Sequence, residues 1–366
     1  MEIYRCFLLP CTSLCDYYKE VMRVIQYIGV LLFFFLVSCE KNDVEPQKTR
    51  TLMVYLAGDN NLSGHMQKNI SSMMSAWKES YNANIVIYFD APNAAPELYT
   101  FRFKGKEVEK QVLKTYEEMD SADPEVLKKI LNEMQDLYPS DSYGLILGSH
   151  ASGWIPSGAS GRSNRMLHAE PVLTRSFGKD YTGSNEMDTR DMAKAIPFNK
   201  ENLEFILFDA CLMSSIEVLY DLRDKAKYVI ASPAELPAPG FPYARVMPYF
   251  WGKGKDLEKD LVKVCDEFWD YYNTYNATNR FGTIALIKMD EMEHLFDLTR
   301  EVLQGQKENV ATIKQNAVYC YPMVEYTKHD RFFDLGEYMK YMTEDREGLY
   351  KEYRDFLDNE VVIYKK

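Results

Sequence analysis

The chain has 366 residues, 46% of them hydrophobic, enough to build one large α/β domain with a smaller appendage. Its net charge of −12 argues against binding to a nucleic-acid backbone, because proteins that do so collect Lys and Arg. An acidic balance suits a cationic substrate, although keeping a protein soluble is its commoner role. The seven cysteines lack the spacing of a zinc site or a dense disulfide framework, so we assign no metal ligands.

The first segment of the chain has the pattern of a targeting signal. Arg23 precedes an apolar run over residues 28–37, which is too short for a comfortable membrane span. This pattern predicts a signal peptide over residues 22–38. Residues 1–21 fit poorly in front of it, and we interpret them as an upstream extension from a mis-called start codon. A single uncleaved membrane anchor is the alternative.

The signal ends in Leu-Val-Ser-Cys, which resembles the bacterial lipobox. The resemblance implies that Cys39 carries a lipid and becomes the first mature residue. Residues 39–50 are then a flexible tether. We therefore expect the protein in the bacterial cell envelope, exposed outside the cytoplasm on the periplasmic or the cell-surface side.

From Thr51 onward, short apolar strands alternate with helical stretches, a pattern typical of a parallel sheet covered by helices. The predicted elements are a strand at 51–58, a helix near 62–81, a strand at 84–90, a hairpin over 97–113, a helix introduced by residues 121–124 and a strand at 143–150.

The second half of the chain begins with a predicted long surface loop, residues 155–188, which is rich in Gly, Ser, Arg and Lys. A strand–helix–strand unit follows, with a strand at 203–210, a helix at 212–225 and a strand at 228–232. We place a catalytic domain at 51–254 and a mostly helical C-terminal subdomain at 255–366. One strand near 281–289 is expected to return to the sheet.

Two chemically reactive residues lie at predicted strand ends. Ligands of parallel sheets bind beyond the carboxyl ends of the strands, where His150 and Cys211 are expected. We predict that Cys211 also opens the following helix, whose positive end would favour the thiolate. A histidine at this edge can carry the proton for a leaving amine, so the pair suits acyl transfer.

Each residue has an ordinary structural alternative. A lone cysteine in an apolar context is more often a packing residue, and a lone histidine at a strand end is more often structural. Their joint occurrence at two strand ends favours catalysis. The N–H groups of the turn from Ala151 to Gly153 could then face a developing oxyanion.

Four segments carry a resemblance to a known family. YGLILGSHASGW is similar to the histidine motif of the clostripain family, and ILFDACLMSSIEVLYDL is similar to its nucleophile block. MVYLAGDNNL matches the family's first strand, and SPAELPAPGFPY matches its substrate-pocket loop. The four occur in the family's order, between about Thr51 and Tyr249.

The resemblance implies the caspase-like αβα sandwich with a mostly parallel central sheet, and a Cys/His dyad as its catalytic centre. It also implies an S1 pocket with Asp209 and Ser232, in which the acid selects Arg or Lys at the cleavage site. Capping of the next helix is the alternative role for Asp209.

The implied function is a secreted, lipid-anchored cysteine endopeptidase that cleaves peptides or proteins after Arg or Lys. Members of the family are cut in the loop after the catalytic histidine, which implies self-processing. The candidate cleavage residues in this chain are Arg162, Arg165, Arg175 and Lys179.

Two other functions remain open from the sequence, namely a catalytically silent surface lipoprotein that binds basic peptides and a thiol amidase. A Cys/His dyad requires no cofactor. Clostripain itself is calcium-dependent, so the resemblance allows calcium, but the sequence has no EF-hand pattern and places no site.

Overall fold

The computed structural model describes residues 22, 50–155, 177–183, 186–252, 255–274, 280–304, 306, 317–321, 332–343 and 346–366. Residues 48–366 form one compact unit. Cys39 lies outside the described residues. So do the predicted signal peptide, except for Met22, and the predicted tether, except for Arg50. No helix within these ranges is long and apolar enough to cross a bilayer.

Nine strands among the described residues form one sheet, flanked by helices. The strands are β1 (Arg50–Ala57), β2 (Asn84–Ala91), β3 (Ala94–Lys104), β4 (Glu107–Thr115), β5 (Ser142–Gly148), β6 (Leu203–Asp209), β7 (Tyr228–Ala231), β8 (Ala285–Lys288) and β9 (Val362–Lys365). The α-helices are α1 (Ser63–Ala76), α2 (Pro124–Leu137), α3 (Thr189–Ala195), α4 (Ile216–Asp221), α5 (Tyr243–Val246), α6 (Lys255–Thr274), α7 (Met292–Leu303), α8 (Leu335–Met342) and α9 (Glu347–Phe356).

The sheet has the order β4-β3-β2-β1-β5-β6-β7-β8-β9. The five central strands run parallel, and an antiparallel pair closes each edge. The chain passes from β1 to β2 on one side and later returns to place β5 on the other side of β1. The strand order therefore reverses between β1 and β5, and such switch points in open sheets are where ligands bind.

Both faces of the sheet are covered, as the apolar pattern of β1 requires. Leu52, Val54 and Leu56 belong to one core cluster, and Met53, Tyr55 and Ala57 belong to another. Helices α1 and α6 pack on the first face, and α2, α3 and α7 pack on the second. Side chains alternate between faces along a strand, so an unbroken apolar run implies two covered faces. This arrangement confirms the predicted αβα sandwich.

Local signals fix the start of α2 as the sequence predicted. The Asp123 side chain caps the helix by accepting a hydrogen bond from the Glu125 backbone N–H at 2.8 Å. Pro124 occupies the first helical position, where its missing N–H costs nothing. The hairpin of β3 and β4 also lies where its alternating pattern predicted it.

The prediction of a surface loop at 155–188 is wrong for described residues near its end. Residues 156–176 and 184–185 lie outside the described residues, but Phe177 and Met187 are fully buried and pair with each other. Phe177 also bridges to Ala151. Two isolated apolar residues show neither helical nor strand periodicity, so the sequence did not indicate that Phe177 and Met187 join the core.

The C-terminal part contributes to the same sheet. Strand β8 pairs with β7 as expected, and the terminal residues form β9 beside β8. The described residues between these strands are mostly helical. The boundary that we placed between residues 254 and 255 therefore falls inside one compact unit.

Candidate active site

The register of β5 and β6 aligns the two predicted catalytic residues. Gly148 is the last paired residue of β5, and its partner is Asp209, the last residue of β6. His150 and Cys211 each follow this pair by two residues. Adjacent strands lie about 4.8 Å apart, so both residues emerge at the same edge of the sheet, beside the switch point.

Cys211 does not open a helix, contrary to our expectation. It begins a turn, and α4 starts only at Ile216. Leu212 adopts a left-handed conformation with φ 64°, which bends the chain away from the helical path. The thiol therefore lies outside the first turn of the helix, where the dipole acts, and the helix cannot supply the predicted polarisation.

A neighbouring loop polarises the thiol instead. The backbone N–H of Leu236 donates a hydrogen bond to Cys211 Sγ at 3.3 Å. The Cys211 turn is held to this loop by the Leu212 N–H, which donates to the Ala234 carbonyl at 3.0 Å. The side chain of Cys211 is partly exposed and packs beside Ile155 and Phe332.

The loop after His150 contacts the Cys211 turn at Gly153. This glycine has φ 65°, and a Cβ atom there would lie 2.7 Å from the Leu212 carbonyl oxygen. Only glycine permits both the conformation and the close approach. The contact brings the predicted oxyanion residues Ala151 and Gly153 beside the turn that carries the thiol.

His150 has a partner that the sequence did not identify. Its Nε2 atom lies 2.6 Å from Asn61 Oδ1, in the loop after β1. An amide oxygen only accepts hydrogen bonds, so this pairing places the proton on Nε2 and leaves Nδ1 as the basic nitrogen. Asn61 lies within the first-strand motif, but nothing in the motif indicates which of its polar residues meets the imidazole.

The surroundings of His150 keep its imidazole neutral. Burial lowers the pKa of His150, and the positive charge of Lys179 lowers it further, to about 4. The ordinary value is about 6.5. The imidazole is therefore neutral at neutral pH and can accept a proton there.

The Asp209 carboxylate lies among polar groups of α1 and α5. It accepts a hydrogen bond from Tyr243 Oη at 2.9 Å and lies 3.5 Å from Asn69 Nδ2. Gly240, with φ 70°, passes so close that a side chain there would collide with the carboxylate. Burial raises the pKa of Asp209 to about 6, while Tyr243 and the Phe241 N–H lower it. Among the described residues, no cation forms an ion pair with it.

The hydrogen bonds of Ser232 go to residues other than Asp209. It is fully buried, and its hydroxyl lies 2.7 Å from Thr283 Oγ1 and accepts from the Ala234 N–H at 3.1 Å. Its role in the structure is to fix the start of the loop that carries Leu236. The predicted contact between Ser232 and substrate stays a prediction, and in this structure the side chain is buried.

The predicted processing residues divide into two groups. Arg162, Arg165 and Arg175 lie outside the described residues. Lys179 is described, and its backbone is held on both sides. Its N–H donates to Ser149 Oγ at 3.3 Å, and its carbonyl accepts from Asn60 Nδ2 at 2.8 Å. A peptidase must extend the chain it cuts, so these bonds disfavour cleavage at Lys179.

Removing the charge of Lys179 should raise the pKa of His150. In the Lys179→Met variant, burial still holds the pKa below 6.5, but the cationic contribution is lost. The measurement is an NMR titration of 15N-labelled histidine, assigned by comparison with His150→Ala. In wild type the imidazole should stay neutral as the pH falls through 6.5 and protonate near pH 4.

Lys194→Met is the matched control, since Lys194 is exposed and pairs with Asp191 on α3. It should leave the titration unchanged. An ordinary pKa for His150 in wild type, or equal titrations in wild type and Lys179→Met, would contradict this electrostatic account.

Comparison with known proteins agrees with the fold and with the motifs. The model of the clostripain family matches residues 54–366. Clostripain of Hathewaya histolytica is 29% identical over 254 residues, which cover 62% of this chain and 47% of that protein. The match therefore spans about half the length of this curated relative.

Solved structures are similar to this protein over most of the chain. A secreted C11 cysteine protease from Bacteroides thetaiotaomicron, in complex with an irreversible peptide inhibitor, has a TM-score of 0.70 and 28% identity, covering 87% of this chain and 84% of that one. An inactive zymogen C11 protease from Parabacteroides distasonis has a TM-score of 0.71 and 31% identity, covering 88% and 84%. The matched family model, together with the four motifs in order, shows that the chain belongs to the clostripain family.

Proposed function

We propose that the protein is a cysteine endopeptidase with Cys211 as nucleophile and His150 as its base. The observation that carries the proposal is the shared register, which places both residues two positions beyond the paired ends of β5 and β6. The neutral state of His150 and the similarity to solved cysteine proteases support it. The thiol amidase reading has no comparable support.

The chemistry starts from a neutral pair. As the thiol attacks the scissile carbonyl, its proton passes to His150 Nδ1 and an S–C bond forms. The leaving amine then takes this proton as the C–N bond breaks. Water attacks the thioester, giving its proton to His150, and the S–C bond breaks to release the carboxylic acid and restore the thiol. The hydrogen bond to Asn61 keeps a proton on Nε2 throughout, so that Nδ1 is the nitrogen that gains and loses the transferred proton.

The backbone around the thiol is suited to the developing oxyanion. We assign this role to the N–H groups of Ala151 and Gly153, which lie in the loop that contacts the Cys211 turn. Donors on a loop braced by such a contact are held in place before the reaction, which is the condition for strong transition-state stabilisation.

We further propose that Asp209 selects Arg or Lys at the cleavage site. Its carboxylate lies two residues before the nucleophile, hydrogen-bonded to a tyrosine and without a described cation. A desolvated carboxylate with a raised pKa gains a large interaction when a cationic side chain enters. Arrival of the substrate thus supplies the missing counter-charge.

The Asp209→Asn variant tests this specificity. It retains the shape of the side chain but loses the charge. We therefore expect kcat/KM for Arg and Lys substrates to fall by at least about thirtyfold, which corresponds to a loss of about 2 kcal/mol of transition-state stabilisation. The measurement is a fluorogenic panel with Arg, Lys, citrulline and glutamine at the cleavage site. Wild-type activity on the cationic substrates should also fall as the pH drops below about 6 and Asp209 becomes protonated.

Two controls test whether the preference depends on charge and whether the activity depends on Cys211 and His150. Citrulline resembles arginine without its charge, so its turnover should change little in Asp209→Asn. Cys211→Ala and His150→Ala should abolish every activity in the panel. Equal turnover of arginine and citrulline by wild type would refute the role of Asp209, and preferred hydrolysis of glutamine side-chain amides would favour an amidase.

Self-processing belongs to the same proposal. The Parabacteroides distasonis relative is described as an inactive zymogen, which supports an activating cleavage in this chain. We place it in the segment 156–176, with Arg162, Arg165 and Arg175 as candidates. The backbone hydrogen bonds of Lys179 make that residue the least suitable of the four.

Purified wild type should be nicked within this segment, whereas Cys211→Ala should stay intact. Lys179→Ala is the matched control and should be nicked as wild type is. Intact mass spectrometry and N-terminal sequencing of the fragments locate the cut. An intact wild type, or the same nicking in Cys211→Ala, would refute self-processing.

We also propose that the protein is anchored to the bacterial cell envelope by a lipid on Cys39. The proposal rests on the lipobox resemblance at residues 36–39. That a similar protease from Bacteroides thetaiotaomicron is secreted supports a location outside the cytoplasm. The expected partners are peptides or proteins with accessible Arg or Lys.

A further inference from the structure

An aromatic residue from the C-terminal part of the chain lies at the proposed catalytic centre. Phe332 is buried, at 4% exposure, and packs with Ile155 and Leu212 in a small apolar cluster. Cys211 packs against the same cluster. The ring therefore connects the predicted C-terminal subdomain with the two loops that carry the dyad, although neither catalytic motif contains it.

The ring of Phe332 contacts the loop that follows His150. A Cβ atom at Gly153 would lie 2.7 Å from Cε1 of the ring and 2.7 Å from the Leu212 carbonyl oxygen. Both atoms thus pack against the face of Gly153 from which a side chain would project. Trp154, the next residue, also lies beside the ring, with 6.1 Å between the ring centroids. Phe332 therefore contacts this loop at two successive residues.

Backbone hydrogen bonds hold Phe332 in this position. The Tyr321 N–H donates to the Phe332 carbonyl at 2.7 Å, and the Asp334 N–H donates to the Tyr319 carbonyl at 2.9 Å. We call the paired segments the C-terminal bridge, residues 319–321 and 332–334. The ring thus projects from a paired backbone segment.

The C-terminal bridge is anchored to helix α8. Asp334 caps the helix by accepting from the Glu337 N–H at 2.9 Å, and its Oδ2 atom accepts from Tyr321 Oη at 3.1 Å. Glu337 Oε2 in turn accepts from the Tyr319 N–H at 2.6 Å. Since α8 packs into the core through Met339, these bonds fix the bridge relative to the sheet.

We propose that Phe332 is a positioning residue, which holds the loop from Ala151 to Gly153 in the orientation that stabilises the oxyanion. This inference rests on the proposed function. Oxyanion donors are effective only when they are oriented before the reaction, and loss of one donor lowers kcat by about a hundredfold or more. Gly153 has φ 65° and the conformational freedom of glycine, so a rigid neighbour is needed to restrict it. The buried ring is such a neighbour.

The Phe332→Leu variant keeps an apolar side chain but lacks the tip of the ring that touches Gly153. We expect kcat for an Arg substrate to fall at least about tenfold with KM within about twofold of wild type, because the contact acts on the intermediate. Inhibition by a peptide aldehyde that ends in argininal should weaken in parallel, since its adduct with the thiol places an oxygen at the same N–H groups.

Alkylation of Cys211 by iodoacetamide provides a readout that a loss of folding would change. In this reaction the sulfur displaces iodide and no oxyanion forms, so the rate in Phe332→Leu should not fall. The number of alkylated thiols, located by mass spectrometry, also gives the concentration of active sites for kcat. A merely structural role would lower alkylation together with hydrolysis.

Phe333→Leu is the matched control, because it makes the same change at the next residue of the C-terminal bridge, which is 37% exposed. It should leave kcat and aldehyde inhibition unchanged. Wild-type kcat in Phe332→Leu, an equal loss in both variants, or slower alkylation in Phe332→Leu would overturn the positioning role. The proposed function fails instead only if wild type does not hydrolyse the substrate or if Cys211→Ala does, so the two failures are distinguishable.

Discussion

The parallel pairing of β5 with β6 is the constraint on which the proposed chemistry depends. A slip by one residue would turn every side chain to the opposite face and would separate His150 from Cys211. Packing fixes this register firmly. Gly144 lies against the ring of the buried Phe205, so that even a methyl group there would collide with it. Gly148 lies in the same way against Leu56 of β1, which fixes the pairing of β1 with β5.

The same edge of the sheet holds titratable side chains in different environments. His150 is desolvated and lies near Lys179, so it stays neutral. Asp209 is desolvated without a described cation, which leaves it ready for a cationic partner. Burial thus shifts the pKa values of His150 and Asp209 in opposite directions, since it favours the neutral form of each.

The neutral imidazole and the position of Cys211 change the expected resting state. A thiol at a helix N-terminus would favour a thiolate beside an imidazolium. Here the helix begins at Ile216, and one backbone N–H from Leu236 reaches the sulfur. The neutral imidazole of His150 can accept the thiol proton as the sulfur attacks the substrate.

Much of the fold could be predicted because its signals are local. Continuous apolar runs gave the central strands, and the Asp123-Pro124 pair gave the start of α2. The motifs predicted that His150 and Cys211 follow the ends of two buried strands, and the structure has them there. What failed depends on tertiary contacts. The turn after Cys211 has a helix-compatible sequence, so the true start of α4 could not be predicted. Serine occurs both at surfaces and in cores, so the burial of Ser232 could not be predicted either. The contact between His150 and Asn61 joins distant segments, which no motif with fixed spacing can reveal.

The central claim is that Cys211 is activated by His150 at this edge and meets a substrate with a cationic side chain. The most direct measurement is covalent labelling by an electrophilic peptide that ends in Lys, with the modified residue located by mass spectrometry. The account predicts one label, on Cys211. The label should form much more slowly in His150→Ala, and free Lys-containing peptides should also slow its formation in wild type. Labelling of Cys265 or Cys320 instead, or an equal rate in His150→Ala, would contradict it.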